Sequence, residues 1–205
     1  MRRSINYHLY LVTDESEKCR YGLLETVRRA VRGGVTVVQY RTVNKDYATQ
    51  LAEVRPLQAF LKEAGVPLII NNNVDLAIEI GADGLHVGQG DTPVEEARRR
   101  IGPDMILGLS VSNAEQMAAV NTEIVDYVGC GPVFPTNTKT DAAKDVGLTG
   151  WNQLAAACPL PVVAIGGLNK ERTAAVRATG LAAGVAIVSY VCAAEHPEQA
   201  ASDLL

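Results

Sequence analysis

The sequence is short of charge and of cysteine, and it lacks any long apolar run. Charged residues make up 20% of the 205, a low share that fits a fold with much buried strand. The net charge is −4 and the pI about 5.4, so no basic excess is present to meet a nucleic acid, although a local basic pocket is compatible with it. No apolar run reaches about 18 residues, so no segment reads as a membrane-spanning helix. The opening MRRSINYHLYLVTDE has two arginines but no long apolar core and no small-residue cleavage site. It reads as a first strand, and the protein is expected to be cytoplasmic. The four cysteines, Cys19, Cys130, Cys158 and Cys192, form no CxxC pair and read as free thiols of a reducing compartment. There is no Ser-His-Asp arrangement, no Cys/His cluster at zinc spacing and no glutamate pair placed for glycoside hydrolysis.

What is present is a two-beat rhythm. Short runs rich in Val and Ile recur: HLYLVTD, VTVVQYR, VPLIINN, DGLHVGQ, ILGLSVS, VDYVGCG, PVVAIGG and GVAIVSY. Between them lie stretches with helical spacing. In GLLETVRRAVRGG, Leu23, Leu24, Val27 and Val31 form one stripe; in DYATQLAEVRPLQAFLKEAG, Leu51, Val54, Leu57 and Leu61 do. Pro56 is expected to end or kink a turn of the second, and Gly34, Gly65 and Gly81 read as stop signals. Strands that are apolar without a break are buried on both faces, the mark of a parallel sheet. Eight strands alternating with eight helices point to an α/β fold, a (β/α)8 TIM barrel in a single domain, 1–205. An open doubly wound sheet is the rival. Roughly 70% of the unfolded chain's surface can be buried at this length.

In a barrel of this kind the C-terminal ends of the strands share one mouth. The second strand ends Gln39-Tyr40-Arg41, the third Asn71-Asn72-Asn73, and the fourth runs from His86 to Asp91. The fifth ends at Ser110, the seventh at Gly166-Gly167 and the eighth at Ser189. The sixth runs into GCGPVFPTNTK, which opens the longest break in the rhythm, residues 130 to 149. Loops of that length in a compact domain are usually functional. Arg41 and Lys139 are cations; Asn71, Ser110, Thr136 and Thr138 are donors; glycine pairs leave backbone N–H groups open to close approach. The set suits phosphate oxygens, and Asp91 among them suits Mg²⁺. Plainer readings stand beside these. Arg41 is also readable as a solvated rim charge, Asn73 as a helix cap, Asp91 as the N-cap before Pro93, His86 as a packed residue and Gly166-Gly167 as a tight turn. His8 and His196 look incidental, and Trp151 reads as packing.

These residues resemble the thiamine phosphate synthase family. The resemblance rests on YLVTD (10–14), VQYR (38–41), PLIIN (67–71), GADGLHVGQGD (81–91), LGLSV (107–111), YVGCGPVFPTNTK (127–139), AIGG (164–167) and GVAIVS (184–189). It spans nearly the whole chain, and GPVFPTNTK is its most specific piece. It implies a transferase that joins 4-amino-5-hydroxymethyl-2-methylpyrimidine pyrophosphate to a thiazole phosphate, giving thiamine phosphate and pyrophosphate through a dissociative step. Gln39, Tyr40, Arg41, Asn71, Ser110 and Lys139 would hold the pyrimidine pyrophosphate, with Arg41, Ser110 and Lys139 catalytic. Thr136, Asn137, Thr138, Gly167, Val188 and Ser189 would hold the thiazole phosphate. Asp91 and Asn72 would bind Mg²⁺. The expected partners are small phosphorylated molecules, with no nucleic acid and no membrane; small barrels often pair, so a homodimer is expected.

Three positions depart from the family pattern. Its Arg-Glu-Lys is here Arg41-Thr42-Val43, its Asn-Asp is Asn71-Asn72, and its GQED is GQGD with Gly90. A cation and three anions are absent, which predicts weaker metal and pyrophosphate binding, by about ten- to a hundredfold per charge-assisted contact. Two other readings remain open. One is a thiazole tautomerase-like isomerase, although Ser112 stands where that group has its histidine. The other is a non-catalytic protein that binds thiazole phosphate or thiamine phosphate.

Overall fold

In chain order the elements are β1 (Leu9–Val12), α1 (Gly22–Arg32), β2 (Val37–Tyr40), α2 (Tyr47–Ala64), β3 (Leu68–Asn71), α3 (Val74–Ile80), β4 (Gly84–Val87), α4 (Val94–Ile101), β5 (Ile106–Val111), α5 (Ala114–Ala118), β6 (Tyr127–Cys130), α6 (Gly147–Ala157), β7 (Val162–Ile165), α7 (Lys170–Arg177), β8 (Gly184–Ile187), α8 (Ser189–Cys192) and α9 (Pro197–Ser202). They come from a computed structural model that describes residues 4–15, 19–136, 138 and 144–205. Every strand pairs in parallel with its sequence neighbours, and β8 returns to β1, so the sheet closes into a barrel of eight strands. The expected alternation holds, with one addition: α8, a four-residue helix directly after β8.

Closure gives each strand an inner and an outer face, and both are apolar. Leu9, Leu11, Val38, Ile70, Leu85, Val128 and Val185 point outward and pack against the helices. Tyr10, Val12, Val37, Ile69, Ile106, Tyr127 and Val163 point inward and fill the barrel, with Ile5 and Tyr7 joining them from the segment before β1. The Tyr7 and Tyr127 rings lie 4.7 Å apart, centroid to centroid. The interior is therefore a packed core, as closed eight-stranded parallel barrels require.

The helices bury the stripes that the spacing predicts: Val27 of α1, and Val54, Leu57 and Leu61 of α2. Burying each such side chain fully contributes about 1.5–3 kcal/mol. Gly65 and Gly81 end α2 and α3 in the left-handed conformation, and Asn73 caps α3 by accepting the N–H of Leu76 at 3.0 Å. Pro56, by contrast, does not end its helix: α2 runs through it for 18 residues. Pro56 and Ala52, four residues earlier, are both exposed, so the carbonyl that loses its partner is on the solvent side, where water serves it.

At the N-terminal end of the barrel one ion pair is buried. Arg98 of α4 donates to the carbonyls of Gly102, Met105 and Ile124 and to Asp126 Oδ2 at 2.6 Å. Asp126 in turn accepts the N–H of Leu107 in β5. A guanidinium with this many acceptors has its buried charge satisfied. No helix among the described residues is long and apolar enough to cross a membrane.

Candidate active site

The strand register carries the tips of β2 to β6 round one rim. Asn71 lies opposite His86, Ser110 opposite Gly129, and Cys130 opposite Ala164. Parity then decides which side chains face the interior. Tyr10 and Tyr127 are inward, so alternation along paired strands turns Gln39, Asn71, His86 and Ser110 the same way. Gln39 and His86 are buried; Asn71 and Ser110 are half-buried.

Tyr40 does not join them. It belongs to the outer layer and its hydroxyl donates to Glu53 of α2 at 2.8 Å. Burial, reinforced by that carboxylate, pushes its phenol pKa upward. Arg41 is half-exposed at the rim; its backbone N–H donates to Thr13 Oγ1 at 2.9 Å, and its guanidinium has no ion pair among the described residues. Beyond it the lost lysine is not replaced. Val43 is 61% exposed. Lys45, two residues on, is committed elsewhere: its Nζ lies 2.7 Å from Glu53 and 3.5 Å from Glu15. Burial works against the Lys45 charge, but the bond to Glu53 and the two carboxylates outweigh it and raise the pKa. Glu15 also accepts from Thr42 and from the N–H of Val43, fastening the turn after β1 to the turn after β2.

Asp91 is exposed and closes the turn after β4, accepting the N–H of Gly88 at 2.7 Å. It is not the cap of α4; Pro93 holds that position. Asn72 is exposed in a left-handed conformation, φ 53°, with its N–H on the carbonyl of His86. The two residues thus sit on adjacent strand tips. Among the described residues no group of three His, Cys, Asp or Glu side chains could hold a metal. One carboxylate and one amide oxygen fit a cation such as Mg²⁺, which takes its remaining ligands from substrate phosphates and water.

The GPVFP segment prolongs the barrel edge. Gly131 donates to the carbonyl of Val111, Val133 to that of Ile165, and Phe134 to that of Gly166. The glycines after β7 are there because this segment passes so close. A Cβ on Gly166 would lie 2.6 Å from Pro132, and one on Gly167 2.5 Å from the carbonyl of Pro135. Both also have positive φ, 102° and 64°, which only glycine adopts at no cost. Arg172 locks the two loops together: it donates to the carbonyl of Gly167 at 2.6 Å and lies over the Phe134 ring. Thr136 and Thr138 follow, half-buried, with Thr138 N–H on Thr136 Oγ1 at 3.3 Å. Asn137 and Lys139 lie outside the described residues. Val188 is half-buried against the barrel interior and Ser189 is exposed at the start of α8. Gly167, Val188 and Ser189 therefore occupy the loops after strands 7 and 8, where phosphate sites of this fold are often found.

Two residues escaped the sequence reading. Tyr10 and Tyr127 put hydroxyls in the barrel interior, 2.8 Å apart. Burial pushes both phenols above their ordinary pKa, so both stay neutral. Gln39 Nε2 donates to Tyr10 at 2.9 Å, and His86 bridges Tyr127 to Ser110 through its two ring nitrogens, at 2.9 and 2.8 Å. The available signal was a polar tip within an otherwise aliphatic strand.

The family model described as thiamine monophosphate synthase matches residues 9–191. A protein of Azorhizobium caulinodans named thiamine-phosphate synthase is 46% identical over 204 residues, covering 100% of this chain and 96% of that one. One of Vibrio parahaemolyticus with the same name is 44% identical, covering 97% of each. Among solved structures, thiamine phosphate pyrophosphorylase from Pyrococcus furiosus superposes with a TM-score of 0.87 at 33% identity, over 97% of this chain and 94% of that one. A 3-hexulose-6-phosphate synthase shares the barrel alone, at a TM-score of 0.64 and 17% identity. With a family match across most of its length and relatives this close, the chain belongs to the thiamine monophosphate synthase family.

Proposed function

We propose that the chain is a transferase that joins 4-amino-5-hydroxymethyl-2-methylpyrimidine pyrophosphate to a thiazole phosphate, forming thiamine phosphate and releasing pyrophosphate. The observation that carries this reading is the 46% identity, over the full chain, to a protein named thiamine-phosphate synthase. The barrel supports it with a rim of hydrogen-bond donors, among them Asn71 and Ser110, and with the Arg41 cation beside them. The bond between the pyrimidine methylene and the pyrophosphate oxygen breaks, and the thiazole nitrogen forms the new bond to that carbon. Such a step needs neither a protein nucleophile nor a strong base. It needs the leaving diphosphate to be steadied and the two rings held face to face.

In this proposal Arg41, Asn71, Ser110 and Lys139 bind the leaving pyrophosphate, and Gln39 orients the pyrimidine half from the barrel interior. Tyr40 is left out, because its hydroxyl is bound to Glu53 behind the strand. Thr136, Asn137, Thr138, Gly167, Val188 and Ser189 hold the thiazole phosphate. Asp91, with Asn72 on the adjacent strand tip, would hold Mg²⁺, which would supply positive charge against that of the diphosphate. The absence of any disulfide at the four cysteines among the described residues supports a cytoplasmic setting. The test is to mix the purified protein with both substrates and Mg²⁺ and follow pyrophosphate and thiamine phosphate. Equal release of both is expected. Bound thiazole phosphate without pyrophosphate release would replace the reading with that of a binding protein.

A further inference from the structure

Five polar side chains from five different strands form one unbroken line through the barrel. Gln39 (β2) meets Tyr10 (β1) at 2.9 Å, Tyr10 meets Tyr127 (β6) at 2.8 Å, Tyr127 meets His86 Nδ1 (β4) at 2.9 Å, and His86 Nε2 meets Ser110 Oγ (β5) at 2.8 Å. Two glycines make room for it. A Cβ on Gly108 would lie 2.2 Å from the Tyr127 ring and 2.5 Å from His86 Nδ1, and one on Gly129 would lie 3.1 Å from His86 Cε1. Any larger residue at 108 would wedge the phenol and the imidazole apart.

Proton counting gives the line a direction. Each neutral hydroxyl has one hydrogen to give. Gln39 Nε2 donates to Tyr10, so Tyr10 gives its hydrogen to Tyr127; otherwise that hydrogen is buried without an acceptor, at a cost. Tyr127 has then accepted from Tyr10 and gives its own hydrogen to His86 Nδ1. Neutral His86 must carry its proton on Nε2, where it is donated to Ser110 Oγ. The Ser110 hydroxyl hydrogen is left to point into the mouth. We infer that Tyr127 is a positioning residue: it holds His86 in the Nε2–H tautomer and so presents Ser110 to substrate as a hydrogen-bond donor. The acceptor it fits is an anionic oxygen, such as that of a leaving diphosphate. The catalytic half of this inference rests on the proposed synthase reading; the tautomer half does not.

The reverse polarity is the competing state. If Gln39 offered its carbonyl oxygen to Tyr10, every hydrogen would turn over, His86 would carry its proton on Nδ1, and Ser110 would spend its hydrogen on His86. Long-range ¹H–¹⁵N NMR of histidine-labelled wild-type protein decides between them without any turnover. The expected spectrum has His86 protonated at Nε2 and unprotonated at Nδ1; a proton on Nδ1 overturns the inference. Tyr127→Phe removes the donor to Nδ1 and should give a tautomer mixture. It should also lower kcat about tenfold, the factor one hydrogen bond carries, with the KM for thiazole phosphate unchanged. Tyr10→Phe leaves Tyr127 with the Gln39 amide as a donor to it and His86 as the acceptor of its hydrogen, so the Nε2–H tautomer persists. If Tyr10→Phe moves the proton to Nδ1, or Tyr127→Phe keeps both its tautomer and its kcat, the inference fails. Should Tyr127→Phe not fold, the wild-type tautomer and Tyr10→Phe still decide it. A wild-type protein with the expected tautomer but no turnover would count against the synthase reading and not against the relay.

Discussion

Replacing Gly167 by alanine tests whether the glycines after β7 exist for the loop that crosses them. Two costs add. The residue sits at φ 64°, where a Cβ costs about 1–2 kcal/mol. The new methyl would also lie 2.5 Å from the carbonyl of Pro135 and 2.7 Å from that of Phe134. These are backbone atoms, held by the hydrogen bonds from Val133 and Phe134 to the turn after β7, so relief requires the loop to move. Overpacking of this kind costs about 1–3 kcal/mol. The expected loss is roughly 3 kcal/mol, or about 6–12 °C in Tm for a chain of this size. Gly180→Ala is the control: its φ is 70°, but nothing lies within 4 Å of its Cβ position, so only the backbone cost of about 1 kcal/mol remains. Thermal unfolding followed by circular dichroism reads both. In steady-state kinetics Gly167→Ala should raise the KM for thiazole phosphate more than that for the pyrimidine pyrophosphate. Equal melting temperatures for the two variants would refute the account of the close approach.

Arg98→Ala strips a buried carboxylate and three carbonyls of their donor; a loss of about 3–5 kcal/mol is expected from urea unfolding, with the substrate KM values of the surviving folded protein unchanged. Val43→Lys, alone and with Asn72→Asp, restores charges at the rim and should lower the KM for the pyrimidine pyrophosphate by about tenfold or more; aspartate tolerates the left-handed backbone at 72 nearly as well as asparagine. Flat kinetics in the double variant would remove both positions from the binding account. Cys130 is fully buried and burial pushes its thiol up to about 12, so alkylation near neutral pH should spare it in the native protein and label it on unfolding; mass spectrometry of the labelled peptides checks this.

The rhythm of apolar runs and amphipathic stretches was enough to specify eight parallel strands with helices between them, because burial on both faces leaves its mark in every strand. The glycine stops at 65 and 81, the Asn73 cap and the polar strand tips were equally legible, since each is a local matter of backbone conformation or of which residue follows a strand. Parity was not legible: a strand apolar on both faces does not say which of Gln39 and Tyr40 looks inward, and closure of the sheet alone turned Gln39 to the interior and Tyr40 to α2. Nor could the chain announce that Pro56 lies on the solvent side of its helix. The glycines at 108, 166 and 167 answer to atoms far away in sequence, in Tyr127, Pro132 and Pro135. The line from Gln39 to Ser110 crosses five strands, and only the closed barrel brings those hydroxyls, amide and imidazole within hydrogen-bond reach, because pairing register across neighbouring strands is a property of the folded sheet and not of any segment within it.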